Sequence, residues 1–265
     1  MKKWLVLLGV IAVVLYTGNK WIQTTEITIE SENLPPAFDG LKIIQVSDLH
    51  DATFGDRQSK LLKKIETAKP DLIFITGDLI DSNRYDLQNS LDLVEQLISL
   101  APIYYVTGNH EIATNDVVHI KTSLSELGVI VLSNEETVVE KEGESIRIIG
   151  IEDPLAGVPV AEALSIFEQQ DNFTLTLSHR PETFSDYVKN GLDVVFSGHA
   201  HGGQFRIPGL GGLVAPGQGL FPKYTAGVYE ENETSMVVSR GLGNSVIPVR
   251  IFNTPEIVVV TLLSK

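Results

Sequence analysis

The sequence contains no cysteine among its 265 residues. This absence excludes disulfides, zinc ribbons, iron–sulfur clusters, a thiol nucleophile and a lipidated cysteine anchor. Basic residues are also scarce, because 20 lysine and arginine residues stand against 34 acids and leave a formal net charge of −14. A surface of that sign repels phosphate backbones, so the composition argues against general nucleic-acid binding.

Repeats and low-complexity linkers are absent from residues 23–265. The chain is 43% hydrophobic and 20% charged, which is typical of a globular protein with a substantial core. We therefore expect one globular domain over residues 23–265, preceded by a separate segment at residues 1–22.

The first 22 residues contain no acid and hold an apolar stretch, Leu5 to Tyr16, behind Lys2 and Lys3. As a helix, the 19 residues from Trp4 to Ile22 nearly span a hydrocarbon core of about 30 Å. We expect a single-pass anchor in the cell membrane, with the rest of the chain outside the cytoplasm. The alternatives are a cleaved signal peptide, whose cleavage pattern at Gly18 is weak, and a buried terminal helix.

Short apolar runs alternate with helical patterns along the remainder of the chain. Buried strands are predicted at Leu41–Val46, Leu72–Thr76, Ile103–Thr107, Phe173–Leu177 and Leu192–Phe196. Apolar residues at helical spacing separate the first three of these runs, and the last part of the chain returns to β character. The pattern predicts an α/β fold with mixed sheets.

Polar residues of a few types directly follow each of these five strands. They are Asp48 and His50, Asp78 and Asp81, Asn109 and His110, His179, and His199 and His201. The carboxyl ends of strands form the ligand crevice in open α/β sheets, so we expect these side chains to converge. Five of the six histidines belong to this set, and only His119 lies elsewhere. A single histidine after a strand is more often structural than a ligand, but five together are hard to explain as coincidence.

Imidazole, carboxylate and amide groups without any thiolate suit manganese, iron, zinc or nickel. Asp48 and His50 are separated by one residue, as are His199 and His201, so each pair points to one side of an extended segment. The candidate ligands are too many for one tetrahedral ion, and two ions that share a carboxylate fit better. A serine triad is the competing enzyme class, but the sequence has no G-x-S-x-G motif.

The motifs DLH, GDLID, GNHE, SHRPE and GHAHGGQ occur in this order between Leu41 and Glu256. The series resembles the calcineurin-like metallophosphoesterase family, in particular its bacterial, membrane-associated branch of YkuE-type phosphodiesterases. The resemblance implies a four-layer α/β/β/α sandwich with mixed sheets, here preceded by the N-terminal apolar helix. It also implies two divalent metal ions, for which manganese is expected first and iron, zinc or nickel are alternatives.

The resemblance assigns a role to each motif residue. The first metal would be held by Asp48, His50 and His201. The second metal would be held by Asn109, His179 and His199. Asp78 would bridge both ions. His110 matches the catalytic histidine, which is not a metal ligand, and Asp81 matches the acid that pairs with it in protein phosphatases of the family.

These roles imply hydrolysis of a phosphoester by a metal-bridging hydroxide, since metals lower the pKa of bound water from 15.7 toward about 7. The protein-phosphatase motif GDxVDRG has an arginine after its second aspartate, whereas Ser82 and Asn83 follow Asp81 here. We therefore expect phosphodiester or pyrophosphate substrates. The alternatives are a phosphomonoesterase, a UDP-2,3-diacylglucosamine-type pyrophosphate hydrolase and a non-catalytic metal-binding scaffold.

Residues 202–227 contain eight glycines together with apolar side chains such as Phe205 and Phe221. The segment is either a loop that packs on the domain or a lip that admits a lipid-linked or cell-wall-linked phosphodiester. Arg180, Arg206 and Arg240 are candidates for phosphate contacts, although ordinary salt bridges explain them nearly as well.

Overall fold

The computed structural model describes residues 2–168, 171–245 and 247–265. The α-helices in these residues are α1 (Lys2–Lys20), α2 (Ser59–Ala68), α3 (Leu87–Leu97), α4 (Asn109–Ala113), α5 (Val117–Glu126), α6 (Val160–Leu164) and α7 (Phe184–Lys189). The strands are β1 (Gln23–Ser31), β2 (Lys42–Val46), β3 (Leu72–Thr76), β4 (Ile103–Val106), β5 (Ile130–Val131), β6 (Glu135–Lys141), β7 (Glu144–Ile151), β8 (Thr174–Ser178), β9 (Val194–Ser197), β10 (Arg206–Ile207), β11 (Gly211–Gly212), β12 (Val214–Ala215), β13 (Gly219–Leu220), β14 (Gly227–Glu231), β15 (Thr234–Val238) and β16 (Glu256–Ser264).

Two six-stranded sheets carry the fold, with strand orders β1-β16-β2-β3-β4-β5 and β14-β15-β9-β8-β7-β6. In the first sheet only the pairing of β16 with β2 is antiparallel among the described residues. In the second sheet β6 with β7 and β14 with β15 are antiparallel, and the central strands are parallel. The predicted α/β fold with mixed sheets is confirmed.

Three clusters of buried apolar side chains hold the sheets and helices together. Side chains of both sheets meet in one cluster, where the rings of Phe74 and Phe196 pack edge to face with centroids 5.0 Å apart. Leu61 and Leu93 of α2 and α3 cover the outer face of the first sheet. Tyr187 of α7 helps to cover the outer face of the second. Both faces of the central strands are therefore buried, which explains why the strands read as continuous apolar runs.

The N-terminal apolar stretch forms helix α1, which begins and ends two residues before the predicted anchor and includes Lys2 and Lys3. No helix in the described residues is both long and apolar enough to span a bilayer. The uncharged part of α1, Trp4 to Asn19, has 16 residues and covers about 24 Å at the helical rise. The helix ends at Lys20, and Ile22 is buried in the domain core. The predicted single-pass anchor, and with it the location in the cell membrane, is therefore wrong; Met1 lies outside the described residues.

Candidate metal centre

The strand ends of the two sheets meet at one edge of the interface between them. Asp48 and His50 follow β2, Asp78 follows β3, and Asn109 begins α4 directly after β4. On the second sheet His179 follows β8, and the two histidines of the GHAH motif follow β9. Parallel strands end side by side, so residues far apart in the sequence come together here.

The first group of ligand atoms comes from Asp48, His50, Asp78 and His201, all of which are buried and lie within 4.8 Å of one another. His50 Nε2 is 3.1 Å from His201 Nε2 and 3.6 Å from Asp78 Oδ2. His201 Nε2 is in turn 3.3 Å from Asp48 Oδ1. Nitrogen and carboxylate atoms that point at a common centre form the arrangement that a transition metal requires.

The second group comes from Asp78, His179 and His199. His179 Nε2 lies 3.2 Å from Asp78 Oδ2 and 3.2 Å from His199 Nδ1. The other nitrogen of His179, Nδ1, lies 2.8 Å from the carbonyl oxygen of Thr76, to which it can donate. A ligating histidine commonly donates its second ring N–H in this way, which orients the ring.

Asn109 begins α4 at the same edge of the sheets and offers one more oxygen atom. Its Oδ1 is buried and has no hydrogen-bond partner in the part of the chain that the structure describes. The next residue, His110, donates its backbone N–H to Asp78 Oδ1 at 2.8 Å, which ties the start of α4 to the shared carboxylate. An unpaired buried oxygen is costly, by about 1–3 kcal/mol, unless a ligand pairs with it. The residues present therefore fit two divalent ions.

Five of the candidate ligand residues adopt a left-handed backbone. Their φ values lie between 47° and 62°, and the residues are Asp48, His50, Asp78, His199 and His201. This conformation is unusual outside glycine and costs about 1–3 kcal/mol at each position. The surrounding fold therefore maintains these conformations at a cost in folding free energy.

Two glycines of the motifs make the close approaches possible. A Cβ atom at Gly108 would overlap Asp78 Oδ1, and a Cβ atom at Gly198 would overlap Asp48 Oδ2. Any side chain at either position would push a carboxylate away from its group.

The titration of the histidines differs between positions. Burial lowers the pKa of His50 well below its usual value, and burial also lowers the pKa of His199 and of His201. These rings are neutral at pH 7, as metal ligands must be. Burial lowers the pKa of His179 too, but the Asp78 carboxylate beside it outweighs this effect and raises the pKa to about 10. The Asp78 carboxylate therefore favours the protonated form of His179.

Glu111, the last residue of the GNHE motif, has a role that the sequence did not indicate. Its buried carboxylate accepts four backbone N–H groups, from Gly108 (2.7 Å), Asp78 (3.0 Å), Leu79 (2.6 Å) and Ile80 (3.2 Å). Burial and the neighbouring Asp78 raise the pKa of Glu111 to about 7, against the N–H groups that favour its charged form. Glu111 is the third residue of α4, and a glutamate at that position can accept the backbone N–H of the residue before the helix, which is the half of the capping-box signal that could have indicated it.

His110 and Asp81 lie close together but do not form a hydrogen bond. Asp81 Oδ1 is 3.6 Å from His110 Nδ1, beyond hydrogen-bond range. The backbone N–H of Ser82 donates to that nitrogen instead, at 3.0 Å. Asp81 pairs with the guanidinium of Arg84. On the other side of the ring, Ser245 Oγ lies 3.0 Å from His110 Nε2.

Two arginines flank the histidine groups. Arg180 makes hydrogen bonds to both oxygens of Asp153, at 2.6 and 3.0 Å, and its Nη1 lies 2.8 Å from His199 Nε2. Arg250 is fully buried, and its Nη2 lies 3.3 Å from His201 Nδ1. No signal in the sequence marked Arg250, because it lies far beyond the last motif.

Residues 202–227 form two short antiparallel pairs, β10 with β11 and β12 with β13. Phe205 is half-buried, whereas Leu220 and Phe221 are exposed. The remaining candidate arginines have internal partners, since Arg206 donates to the carbonyl oxygen of Gly202 and Arg240 pairs with Glu256.

Comparison with known proteins agrees with this geometry. The family model described as "Calcineurin-like phosphoesterase" matches residues 41–203. The chain is 33% identical over 255 residues to "Uncharacterized metallophosphoesterase YkuE" of Bacillus subtilis (strain 168), covering 94% of this chain and 88% of that protein. It is 28% identical over 234 residues to "Phosphodiesterase YaeI" of Escherichia coli (strain K12), covering 84% of this chain and 82% of that protein.

A solved structure shows the same fold at low sequence identity. TT1561 of Thermus thermophilus superposes with a TM-score of 0.51 and 12% identity, covering 77% of this chain and 90% of that chain. The family model covers more than half of the chain, and its motifs lie at the strand ends described above. The chain therefore belongs to the calcineurin-like phosphoesterase family, as its motif series predicts, and is a metal-dependent hydrolase of phosphoesters.

Proposed function

We propose that residues 23–265 form a dinuclear phosphoesterase domain that hydrolyses phosphodiester or pyrophosphate bonds. The observation that carries the proposal is the position of Asp78 Oδ2, which lies 3.6 Å from His50 Nε2 and 3.2 Å from His179 Nε2. One carboxylate oxygen thus faces both groups of ligand atoms, as a bridging ligand does. The name of the relative YaeI, a phosphodiesterase, supports a diester as the substrate.

In this proposal each ion has its own ligands besides the shared Asp78. One ion is held by Asp48, His50 and His201. The other is held by Asn109, His179 and His199. Two bound divalent ions supply a water nucleophile at neutral pH and positive charge for the phosphoryl oxygens. We expect manganese first, with iron, zinc or nickel as alternatives.

The charge of the ligand set favours a phosphate anion. Only two of the proposed ligands, Asp48 and Asp78, are carboxylates, because Asn109 is neutral. Two divalent ions bring about +4 against the −2 of these carboxylates, so the centre keeps a positive charge. This focus attracts a phosphoester to a protein whose net charge is −14.

His110 is the residue that we propose to act on the leaving group, by protonation or by stabilising the charge that develops in the transition state. The Ser82 N–H donates to Nδ1, so Nε2 is the ring nitrogen that can present an N–H to the substrate. An Nε2–H group that donates a hydrogen bond to the leaving oxygen stabilises its developing negative charge. Asp81 is proposed as a positioning residue, since it lies beside the ring and is itself held by Arg84.

The exposed apolar residues of segment 202–227 support an extension of the substrate class. Phe221 is 66% exposed and Leu220 is 72% exposed, so both are available to the apolar part of a lipid-linked or cell-wall-linked phosphodiester. Replacing Phe205 and Phe221 with serine should then reduce hydrolysis of acylated substrates more than that of soluble ones. Equal losses on both substrates would remove the extension.

Hydrolysis of bis(p-nitrophenyl) phosphate with Mn²⁺ tests the proposal. His110→Ala should lower kcat by about 10²–10³-fold, the usual contribution of one positioned donor to a developing oxyanion. The matched control is His119→Ala, because His119 is exposed on α5 and belongs to neither ligand group. Full activity of H110A, or activity that survives removal of metal by chelation, would contradict the proposal.

A further inference from the structure

The proton-donating side of His110 already has a partner in this structure. Ser245 Oγ lies 3.0 Å from Nε2, while Nδ1 accepts the Ser82 N–H at 3.0 Å. Nε2 is therefore the nitrogen that can donate a hydrogen bond to the substrate, and the Ser245 hydroxyl is the group that faces it.

A leaving-group oxygen that accepts a hydrogen bond from Nε2 must lie about 2.6–3.2 Å from it. The Ser245 hydroxyl occupies that position, and two oxygens cannot share it. We propose that residues 243–245 and 247–250 form a cap that seats Ser245 on His110 in the free enzyme, and that a phosphoester displaces the serine when it binds. The inference rests on the proposed role of His110.

Polar contacts hold the cap from two sides. Arg84 Nη2 donates to the carbonyl oxygens of Asn244 (2.7 Å) and Ser245 (3.4 Å). On the other side, Asn19 Oδ1 at the end of α1 accepts from Asn244 Nδ2 (2.8 Å) and from the backbone N–H of Arg250 (3.3 Å). The same guanidinium of Arg84 also pairs with Asp81, so one side chain joins the cap to the segment beside His110.

The end of α1 also packs directly against the cap. Gly18 is buried, and a Cβ atom there would overlap the carbonyl oxygen of Arg250. The last turn of the helix therefore touches the cap backbone directly. This contact gives the N-terminal helix a position next to the catalytic region that its apolar sequence did not indicate.

Open space adjoins the cap on the side of His50. A cavity of about 450 Å³ is lined by His50, Arg84 and Lys20 together with Asn244 and Pro248 of the cap. It leaves room for the cap to shift when Ser245 leaves His110.

The direction of the effect follows from the competition. Phosphate must break the contact between Ser245 and His110 before its own oxygen can take that place. Loss of one hydroxyl hydrogen bond from the free state should tighten binding about three- to tenfold, the usual weight of a single neutral hydrogen bond. A serine that instead contacts the substrate would show the opposite sign.

Calorimetric titration of inorganic phosphate into the full-length, Mn²⁺-loaded protein tests the proposal. The Kd of Ser245→Ala should be about three- to tenfold lower than that of the wild type. Asn19→Ala removes two hydrogen bonds to the cap without changing a contact of His110, and it should shift the Kd in the same direction by less. The matched control is Ser99→Ala, because the Ser99 hydroxyl is exposed and donates to the carbonyl oxygen of Gln96.

The proposal that Ser245 competes with phosphate would be overturned by equal Kd values for wild type and S245A, by a higher Kd in the variant, or by the absence of phosphate binding in both proteins. The outcome is separable from the proposed function. A wild type that binds phosphate but hydrolyses no ester would refute the proposed function. The comparison of Kd values would still show whether Ser245 competes with phosphate. Intact hydrolysis with unchanged phosphate binding in S245A would refute the cap alone.

Discussion

Glu111→Gln should weaken the fold and the metal centre together. Oε1 of Glu111 accepts from Leu79 and Ile80, and Oε2 accepts from Gly108 and Asp78. A glutamine amide keeps one of these oxygens and turns an NH₂ group toward the other pair. Two buried N–H donors then face a donor and have no acceptor.

The size of the effect follows from these contacts. Each buried donor that loses its acceptor costs about 1–3 kcal/mol, so two donors cost about 2–6 kcal/mol in the free energy of unfolding. Removal of the buried charge offsets part of this loss, because burial and Asp78 already raise the pKa of Glu111 to about 7. We expect a net loss of about 3 kcal/mol, which lowers the Tm of a domain of this size by about 6–12 °C.

Thermal unfolding followed by circular dichroism measures this change, with and without Mn²⁺. The matched control is Glu126→Gln, because Glu126 is exposed at the end of α5. The Asp78 backbone N–H is one of the groups that Glu111 holds, so the Tm increase on adding Mn²⁺ should also shrink in E111Q. A Tm shift no larger than that of E126Q would refute the view that Glu111 supports the Asp78 segment.

Two further outcomes follow from the site. Metal binding at pH 7 should release a proton from His179, because Asp78 raises the pKa of this ring to about 10 against the effect of burial. The apparent Mn²⁺ affinity should therefore increase with pH up to that value. Calorimetry in buffers of different ionisation enthalpy measures the proton release, and a binding reaction that releases no proton would contradict the protonated state of His179. Gly108→Ala should lower Mn²⁺ affinity by at least about tenfold, as changes next to metal ligands do, because its Cβ overlaps Asp78 Oδ1. Gly9→Ala in α1, whose Cβ would meet no atom within 4 Å, is the control, and equal affinities in the two variants would refute the steric argument.

The sequence was informative where the signal was local. The first four residues of Leu72–Thr76 are apolar because both faces of the sheet are covered, so such buried strands could be predicted from hydropathy. The polar residues after each strand could be placed at one edge because parallel strands end together. The structure brings six of those residues into the two groups that share Asp78, and it places Asp81 and His110 beside His50 in a third group.

Features that depend on two distant segments could not be predicted. Arg250 contacts His201 from 49 residues away, and no local pattern marks it. The sequence also cannot show that Arg84 pairs with Asp81, or that Ser82 and not Asp81 makes the hydrogen bond to His110. Such contacts depend on loop conformations, as do the left-handed backbones of the ligand residues.

The prediction for the N-terminal segment failed for a different physical reason. Hydropathy registers apolar residues but not the point at which a helix ends. The predicted membrane span runs from Trp4 to Ile22, whereas α1 ends at Lys20 and Ile22 lies in the domain core. The remaining uncharged helix is too short to span a bilayer, and its end packs against Arg250 through Gly18.

The metal content of Asp78→Ala tests the central claim most directly. If Asp78 bridges two ions, elemental analysis after equilibration with Mn²⁺ and gel filtration should find two ions per wild-type chain, and D78A should lose at least one of them along with turnover. Two retained ions and full turnover in D78A, or a wild type that is active without bound metal, would contradict the account.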